Sequence, residues 1–189
     1  PAAALTDTNN LFGALEFSEV LSGEGVQPII GCTLSVQIDR PRPGDRSAPD
    51  GALVLLAQNE AGYANLMKLS SAAYLEVGAT DEAHITLERV LELHEGLICL
   101  TGGHDGLLNR LVCAGRTGQA DALLDRLQAT FGDRLYLELQ RHGRPDDVTA
   151  EDYLIERAYA RDLPIVATNE PHFPKPELHG AHDALLCIA

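Results

Sequence analysis

The feature that most constrains the fold is a regular alternation of short apolar runs with helical patterns along the whole chain. Each apolar run has the length of a buried strand, and the segments between runs carry apolar residues at helical spacing. This alternation predicts parallel strands joined by helical crossovers, and therefore an α/β fold. The predicted strands span residues 3–6, 28–36, 53–57, 97–101, 135–140 and 164–168.

Two segments show the clearest helical periodicity, and in each the apolar or small residues recur at offsets 0, 3, 4, 7 and 11. The stripes are Tyr63, Leu66, Met67, Ser70 and Tyr74 within residues 60–76, and Ala120, Leu123, Leu124, Leu127 and Phe131 within 117–131. Shorter helices are predicted at 10–22, 86–93, 105–114 and 149–162, with another from about residue 179. Thr86, Thr117 and Thr149 are the predicted N-caps.

Six strand-helix units suit a barrel related to the TIM architecture, and an open doubly wound sheet is the alternative. The stretch 39–51, with three prolines and two glycines, is predicted to be an exposed loop within one domain. The chain starts at Pro1 inside a strand-like pattern and ends inside a helix-like one. We therefore expect it to be part of a longer protein.

The charge balance argues against direct binding of nucleic acid. Asp and Glu number 28 against 14 Lys and Arg, giving a net charge of −14 that repels phosphate backbones. No apolar run approaches the roughly 20 residues of a membrane span, so no membrane partner is expected. Cys32, Cys99, Cys113 and Cys187 lack CxxC spacing, which favours buried thiols in a reducing, cytoplasmic setting.

Polar residues gather where the predicted strands end, which is where parallel α/β folds place functional groups. These residues are Asp7, Thr8, Cys32, Thr33, Gly102, Gly103, His104, Asp105, Gln140, His142, Asn169, Glu170 and His172. Their Asp, Glu and His members suggest ligands for a divalent metal. The alternatives are structural: Asp7 as a helix cap, His104 and Asp105 as a helix start, and His142 and His172 as exposed turn residues.

Seven stretches, taken together and in order, indicate a family more specifically than any single motif does. They are "ALTDTNNLFGALEF", "QPIIGCTLSV", "LVLLAQNEAGYANLMKLSSAAYLE", "HEGLICLTGG", "RLYLELQRHG", "PIVATNEPHF" and "AHDALLCIA". In order and spacing they resemble the PHP (polymerase and histidinol phosphatase) domain of bacterial DNA polymerase III alpha subunits, and the replicative form more than the error-prone one. The resemblance implies a single PHP domain over 1–189, with a distorted TIM-like (βα)7 barrel. It also implies that the first strand, with its His-x-His pair, lies upstream of this chain and that the polymerase domains lie downstream.

The resemblance further implies a degenerate metal site. Where metal-binding members carry ligands, this chain has Thr8 for His, Thr33 for Glu, Ala52 for His and Gly103 for Cys. Asp7, Glu170 and His172 are the remnants. A hydrolytic cluster needs several ligands to fix two or more ions, so no full metal cluster, no catalytic residue and no cofactor are expected in this segment.

The function implied is that of a scaffold. The parent chain would be a bacterial DNA-directed DNA polymerase, a nucleotidyltransferase that uses Mg²⁺ and dNTPs. The partners implied are the polymerase domains of the same chain and the proofreading exonuclease subunit, with DNA reached only through the parent chain. The alternatives are a metal-dependent phosphoesterase or 3′-5′ exonuclease, and an unrelated α/β barrel.

Overall fold

The described structure, a computed structural model, covers residues 1–39, 48–173 and 175–188. Its strands are β1 (Ala2–Leu5), β2 (Gln27–Gln37), β3 (Gly51–Ala57), β4 (Ile85–Thr86), β5 (Leu97–Leu100), β6 (Leu135–Leu139) and β7 (Ile165–Ala167). Its α-helices are α1 (Ala14–Gly23), α2 (Glu60–Leu75), α3 (Leu87–Glu92), α4 (Leu107–Cys113), α5 (Thr117–Phe131), α6 (Pro145–Arg161) and α7 (His179–Leu186). The six predicted strands are all present, and β4 was missed because two residues carry no periodic signal. Most of the predicted loop at 39–51 lies outside the described residues.

The strands form one sheet in the order β1-β2-β3-β5-β6-β7, with β4 paired to β2. The sheet curls into a half-barrel, which confirms the distorted TIM-like α/β fold. Strand pairs are parallel, as the alternation predicted, except that β3 runs antiparallel to both β2 and β5, which it did not predict. A strand that runs parallel to its predecessor needs a crossover connection, which is usually helical, whereas an antiparallel strand does not. The proline-rich segment between β2 and β3 has no helical pattern, which agrees with the antiparallel direction of β3.

The two faces of the sheet have different composition. On the convex face, buried leucines such as Leu34, Leu53 and Leu55 pack against the helices and form the hydrophobic core. On the concave face, alternate residues of the same strands, such as Thr33, Ala52 and Leu56, line an open pocket in which polar and apolar side chains are mixed. The period of two along each strand therefore separates a dry core from a candidate site.

The two predicted helical stripes had opposite outcomes. All five residues of the α5 stripe are buried, which confirms that prediction. The prediction that the α2 stripe is buried was wrong. Leu66 is buried, but Met67 and Tyr74 are 45% and 54% exposed. The buried face of α2 instead carries Gly62, Asn65, Leu66, Leu69, Ala72 and Ala73.

Close packing explains the small residues on that face. A Cβ atom at Gly62 would lie 1.9 Å from the carbonyl oxygen of Gly96, so the first turn of α2 fits only glycine here. Residue size, rather than hydrophobicity alone, therefore set the orientation of this helix.

Helix starts were predicted less well than helices. Thr86 caps α3 as predicted, accepting a hydrogen bond from the backbone of Arg89 at 3.4 Å. Thr117 and Thr149 are not caps, because α5 begins at Thr117 itself and α6 begins four residues before Thr149. Proline at the first position of α6 has a φ suited to a helix start, which moves that start upstream.

The four cysteines are all free, as predicted, but only two are buried. Burial raises the pKa of Cys32 to about 12 and raises that of Cys99 as well, so both thiols are protonated. Cys113 and Cys187 are exposed, which corrects the expectation that the thiols are buried. Over the described ranges, no helix combines the length and the hydropathy that crossing a membrane requires.

Candidate functional site

A pocket of about 750 Å³ occupies the concave face of the half-barrel. It lies at the carboxyl ends of the parallel strands, and the amino end of β3 joins them because β3 runs the other way. Six of the seven positions that the family resemblance matches to metal ligands line it, namely Asp7, Thr8, Thr33, Ala52, Glu170 and His172. Gly103, the seventh, is buried behind the pocket wall next to Gln140.

Asp7 lies in the turn after β1 and is not a helix cap. The helix α1 starts at Ala14, not near residue 10, and its N-cap Gly13 makes no side-chain capping bond. The backbone of Asp7 accepts hydrogen bonds from Thr33 N at 3.1 Å and from the Cys32 thiol at 3.3 Å. Its half-exposed carboxylate has no hydrogen-bond donor among the described residues, so it is open to the pocket.

Two asparagines, rather than Asp7, shape this turn. Asn9 is buried with a φ of +57°, and its amide bonds Ser35 Oγ and Ala83 O at 3.0 Å each. Asn10 accepts from Phe12 N at 3.1 Å in an Asx turn. The turn that holds Asp7 and Thr8 at the pocket is therefore built from amide side chains.

Thr33 faces the same side but is already bonded. Its hydroxyl donates to Thr6 O at 2.9 Å, and its backbone pairs with Thr8 in an isolated parallel bridge. This threonine therefore holds the first two strands together and offers at most a weak neutral oxygen to the pocket.

A buried carboxylate dominates the opposite wall. Glu138 on β6 is 3% exposed, and its two oxygens accept from Gly102 N at 2.9 Å and from the Thr168 hydroxyl. Its own amide donates to Thr101 Oγ1 at 2.9 Å, and Gln140 Nε2 donates to Thr168 Oγ1 at 3.2 Å. We refer to Thr101, Gly102, Glu138, Gln140 and Thr168 as the Glu138 network; it joins the ends of β5, β6 and β7.

The Glu138 network packs closely around Gly103. Its φ is +55°, and a Cβ placed on it would lie 2.3 Å from Cδ of Gln140. A side chain at this position would be strained and would displace the Gln140 amide. The position where the family resemblance puts a cysteine ligand is thus occupied by its neighbour.

The pocket rim carries a group of charged residues after β5. His104 and Asp105 form a single 3₁₀ turn before α4, as the helix-start alternative predicted. His104 Nε2 lies 2.6 Å from Arg144 Nη1 and 3.1 Å from Asp105, and its Nδ1 lies 4.0 Å from Glu170. Arg110 pairs with Asp105 at 3.1 Å, so these rim groups are tied to each other.

His172 and His142 show no ligand-like arrangement. The His172 ring stacks at 5.2 Å on His182, and Phe173 lies against His179 and His182. His142 is exposed, and its backbone donates to Asp147 at 3.0 Å.

The geometry does not fit a hydrolytic metal cluster. In the described part of the chain, no three His, Cys, Asp or Glu side chains lie close enough together to hold one ion. The most buried carboxylate in the pocket, Glu138, already has hydrogen bonds on both oxygens. Asp7, Glu170 and His172 line the same pocket as open groups without the dense ligand set that two ions require.

Sequence reasoning listed Gly102 and Gln140 but missed Glu138, which joins them in one network, and Asn9. A signal for the network existed: within "LYLELQ" the leucines alternate with Tyr136, Glu138 and Gln140, so Glu138 and Gln140 share the face opposite the core. No local pattern marks Asn9, because its partners Ser35, Ser70 and Ala83 are distant in sequence.

Comparison with known proteins agrees with the resemblance seen in the sequence. The PHP domain family matches residues 1–142. The chain is 50% identical over 189 residues to the DNA polymerase III subunit alpha of Caulobacter vibrioides, covering 100% of this chain and 16% of the relative. It is 38% identical over 192 residues to the same subunit of Thermus aquaticus, and 38% identical over 188 residues to that of Vibrio cholerae, again covering 100% of this chain and 16% of each relative. The chain thus spans under one fifth of the length of these curated relatives.

Proposed function

Because the chain belongs to the PHP domain family, and its relatives are DNA polymerase III alpha subunits, we propose that it is a structural scaffold within such a subunit. The parent chain carries out DNA-templated DNA synthesis from dNTPs with Mg²⁺ in other domains, as a cytoplasmic bacterial transferase. DNA contacts the parent chain there, since this acidic segment repels phosphate.

The observation that carries the scaffold proposal is the Glu138 network. The strand ends, where metal-binding relatives of this fold would be expected to work, are here joined by hydrogen bonds between protein groups. Such bonds fix the positions of β5, β6 and β7 without an ion. A rigid half-barrel is the property that a scaffold needs.

The second part of the proposal is docking. The segment packs against the polymerase domains of its own chain and offers a surface to the proofreading exonuclease subunit. The support is the family membership together with the exposed apolar side chains on α1 and α2.

The rival function is that of a metal-dependent phosphoesterase or 3′-5′ exonuclease. In its favour, Asp7, Glu170 and His172 line one pocket, and hard divalent ions accept carboxylate oxygens and water. Against it stand Thr8, Thr33, Ala52 and Gly103, of which the last two supply no side-chain ligand atom.

Metal analysis and a nuclease assay on the full-length protein discriminate between the two. Purified without chelator, it should carry no tightly bound zinc or manganese at this segment. Added Mn²⁺ or Zn²⁺ should produce no exonuclease or phosphatase turnover that depends on Asp7 or His172. Stoichiometric metal, with activity abolished by Asp7→Ala or His172→Ala, would establish the rival.

A binding measurement tests docking separately. The full-length alpha subunit should form a stable complex with the proofreading exonuclease subunit, and deletion of residues 1–189 should abolish that complex. A complex of unchanged affinity after the deletion would place the docking surface elsewhere.

A further inference from the structure

Large apolar side chains are exposed on α1, α2 and the turn before α1. Phe12 is 90% exposed, Leu15 is 72% exposed, and Met67 and Tyr74 project from α2 as described above. With Tyr63, these residues define what we call the α1–α2 patch. An exposed surface that combines aromatic side chains with leucine and methionine is typical of protein interfaces.

The two parts of the patch meet where α2 contacts the turn before α1. Tyr63, Met67, Ser70 and Tyr74 form one stripe along α2, and Ser70 Oγ donates to Asn9 O at 3.1 Å. Phe12 follows Asn9 by three residues and is held by the Asx turn of Asn10 at 3.1 Å. The exposed stripe of α2 therefore lies beside the turn that carries Phe12.

The charge around the patch has one dominant sign. Residues 1–38 contain Asp7, Glu16, Glu19 and Glu24 but no Lys, Arg or His. Within 60–76 there are two glutamates and a single cation, Lys68, whose ammonium bonds Asn65 at 3.3 Å. Glu16 and Glu19 are exposed on α1 next to Leu15.

We propose that the α1–α2 patch binds a protein segment whose apolar side chains are flanked by Lys or Arg. Apolar anchors on the partner cover Phe12, Met67 and Tyr74, and its cations meet the acidic rim of Glu16 and Glu19. The proposal rests on the docking role argued above and names the surface and the chemistry of the partner. It also gives a use to the helix face that sequence periodicity assigned to the core.

The test uses the full-length alpha subunit and the proofreading exonuclease subunit as the probe. The double variant Met67→Ser/Tyr74→Ser should weaken the complex at least tenfold, because such central anchors carry most of the binding energy. The control is Tyr159→Ser on α6, an even more exposed aromatic far along the chain, which should leave affinity unchanged.

Charge is tested by a second pair of variants. Glu16→Lys/Glu19→Lys should weaken the complex about tenfold and make its affinity less sensitive to salt. The control is Glu156→Lys, a charge reversal on the exposed face of α6, for which no change is expected.

Each result has a distinct meaning. Unchanged affinity in Met67→Ser/Tyr74→Ser would overturn the patch while leaving docking intact. Weaker binding in that variant with no effect of Glu16→Lys/Glu19→Lys or of salt would overturn the basic partner. A lower melting temperature of the free alpha subunit with unchanged affinity would mean that its own domains cover the patch, which also overturns the proposal. If the unmodified subunits fail to bind, the docking role itself fails.

Discussion

The convex and concave faces of the same sheet are stabilised by different kinds of interaction. On the convex side, Leu53 and Leu55 are completely buried against helices. On the concave side, their neighbours Ala52 and Val54 face a pocket, and the strand ends are joined by the Glu138 network. One strand thus contributes to both a dry core and a polar site because successive side chains point in opposite directions.

This difference shows that one face supplies most of the stability, whereas the other fixes the positions of the strand ends. Burial of apolar area supplies the larger free energy, and it needs only complementary volume. Hydrogen bonds supply less, but an unmet buried donor is costly, so they fix one arrangement of the strand ends. The convex face should therefore control the free energy of unfolding, and the concave face the geometry of the pocket.

The largest effect is expected from adjacent leucines of β3. Leu55→Ala should lower the free energy of unfolding by about 3 kcal/mol, because it leaves a cavity in the core. Leu56→Ala, one residue on but facing the pocket, should cost about 1 kcal/mol, because its side chain is partly exposed. Urea unfolding measures both values. Equal losses would contradict the division between the two faces.

An intermediate effect is expected from Glu138→Ala. Gly102 N and the Thr168 hydroxyl would lose their acceptor in a buried place, at a cost of about 2 kcal/mol in the free energy of unfolding. Glu138→Gln, which keeps the shape and one acceptor oxygen, is the matched control and should cost less. A more stable Glu138→Ala would show instead that the buried charge is a net burden on the fold.

The smallest effect concerns an ion-pair group outside both faces. Asp121 on α5 accepts from Arg157 Nε at 2.6 Å, and this hydrogen bond, with that from Tyr153, lowers the pKa of Asp121 below its ordinary value of 3.8. The stabilisation is therefore present above pH 3.8 and is lost as pH falls through the lowered folded-state pKa. Asp121→Asn should cost about 0.5 kcal/mol at neutral pH, since the pair is partly exposed.

The pH dependence provides the check on Asp121. The difference between Asp121→Asn and the unmodified chain should shrink to zero in strong acid, where both side chains are neutral. Thermal melts from neutral pH to below the ordinary carboxyl pKa measure it. A difference that stays constant with pH would assign the loss to packing between α5 and α6.

The sequence predicted the fold better than the site. Within the described residues, alternation revealed six of the seven strands and every α-helix, because periodicity reports which side chains a regular element buries. It misplaced the buried face of α2, where Gly62, Ala72 and Ala73 allow close approach that hydrophobicity does not register. It also missed the reversed direction of β3, which no residue pattern within the strand encodes.

For the site, the sequence identified positions but not their bonding. Six of the seven positions matched to metal ligands line one pocket, since strand ends can be located from apolar runs. The roles of Glu138 and Asn9 depend on partners 26 to 74 residues away, so local reading could not find them. That the pocket holds no tightly bound ion stays a prediction, which the metal analysis of the full-length protein tests.

The reversal of β3 has a consequence for engineering the molecule. In a parallel barrel, a designer would graft new binding loops after each strand. Here Gly51 and Pro49 border the pocket, whereas the far end of β3 meets Gly96 on the opposite edge through the 2.9 Å bond from Gln58 N. Lengthening or exchanging the residues just before Gly51 would therefore remodel the pocket, and the same graft after Ala57 would leave it untouched.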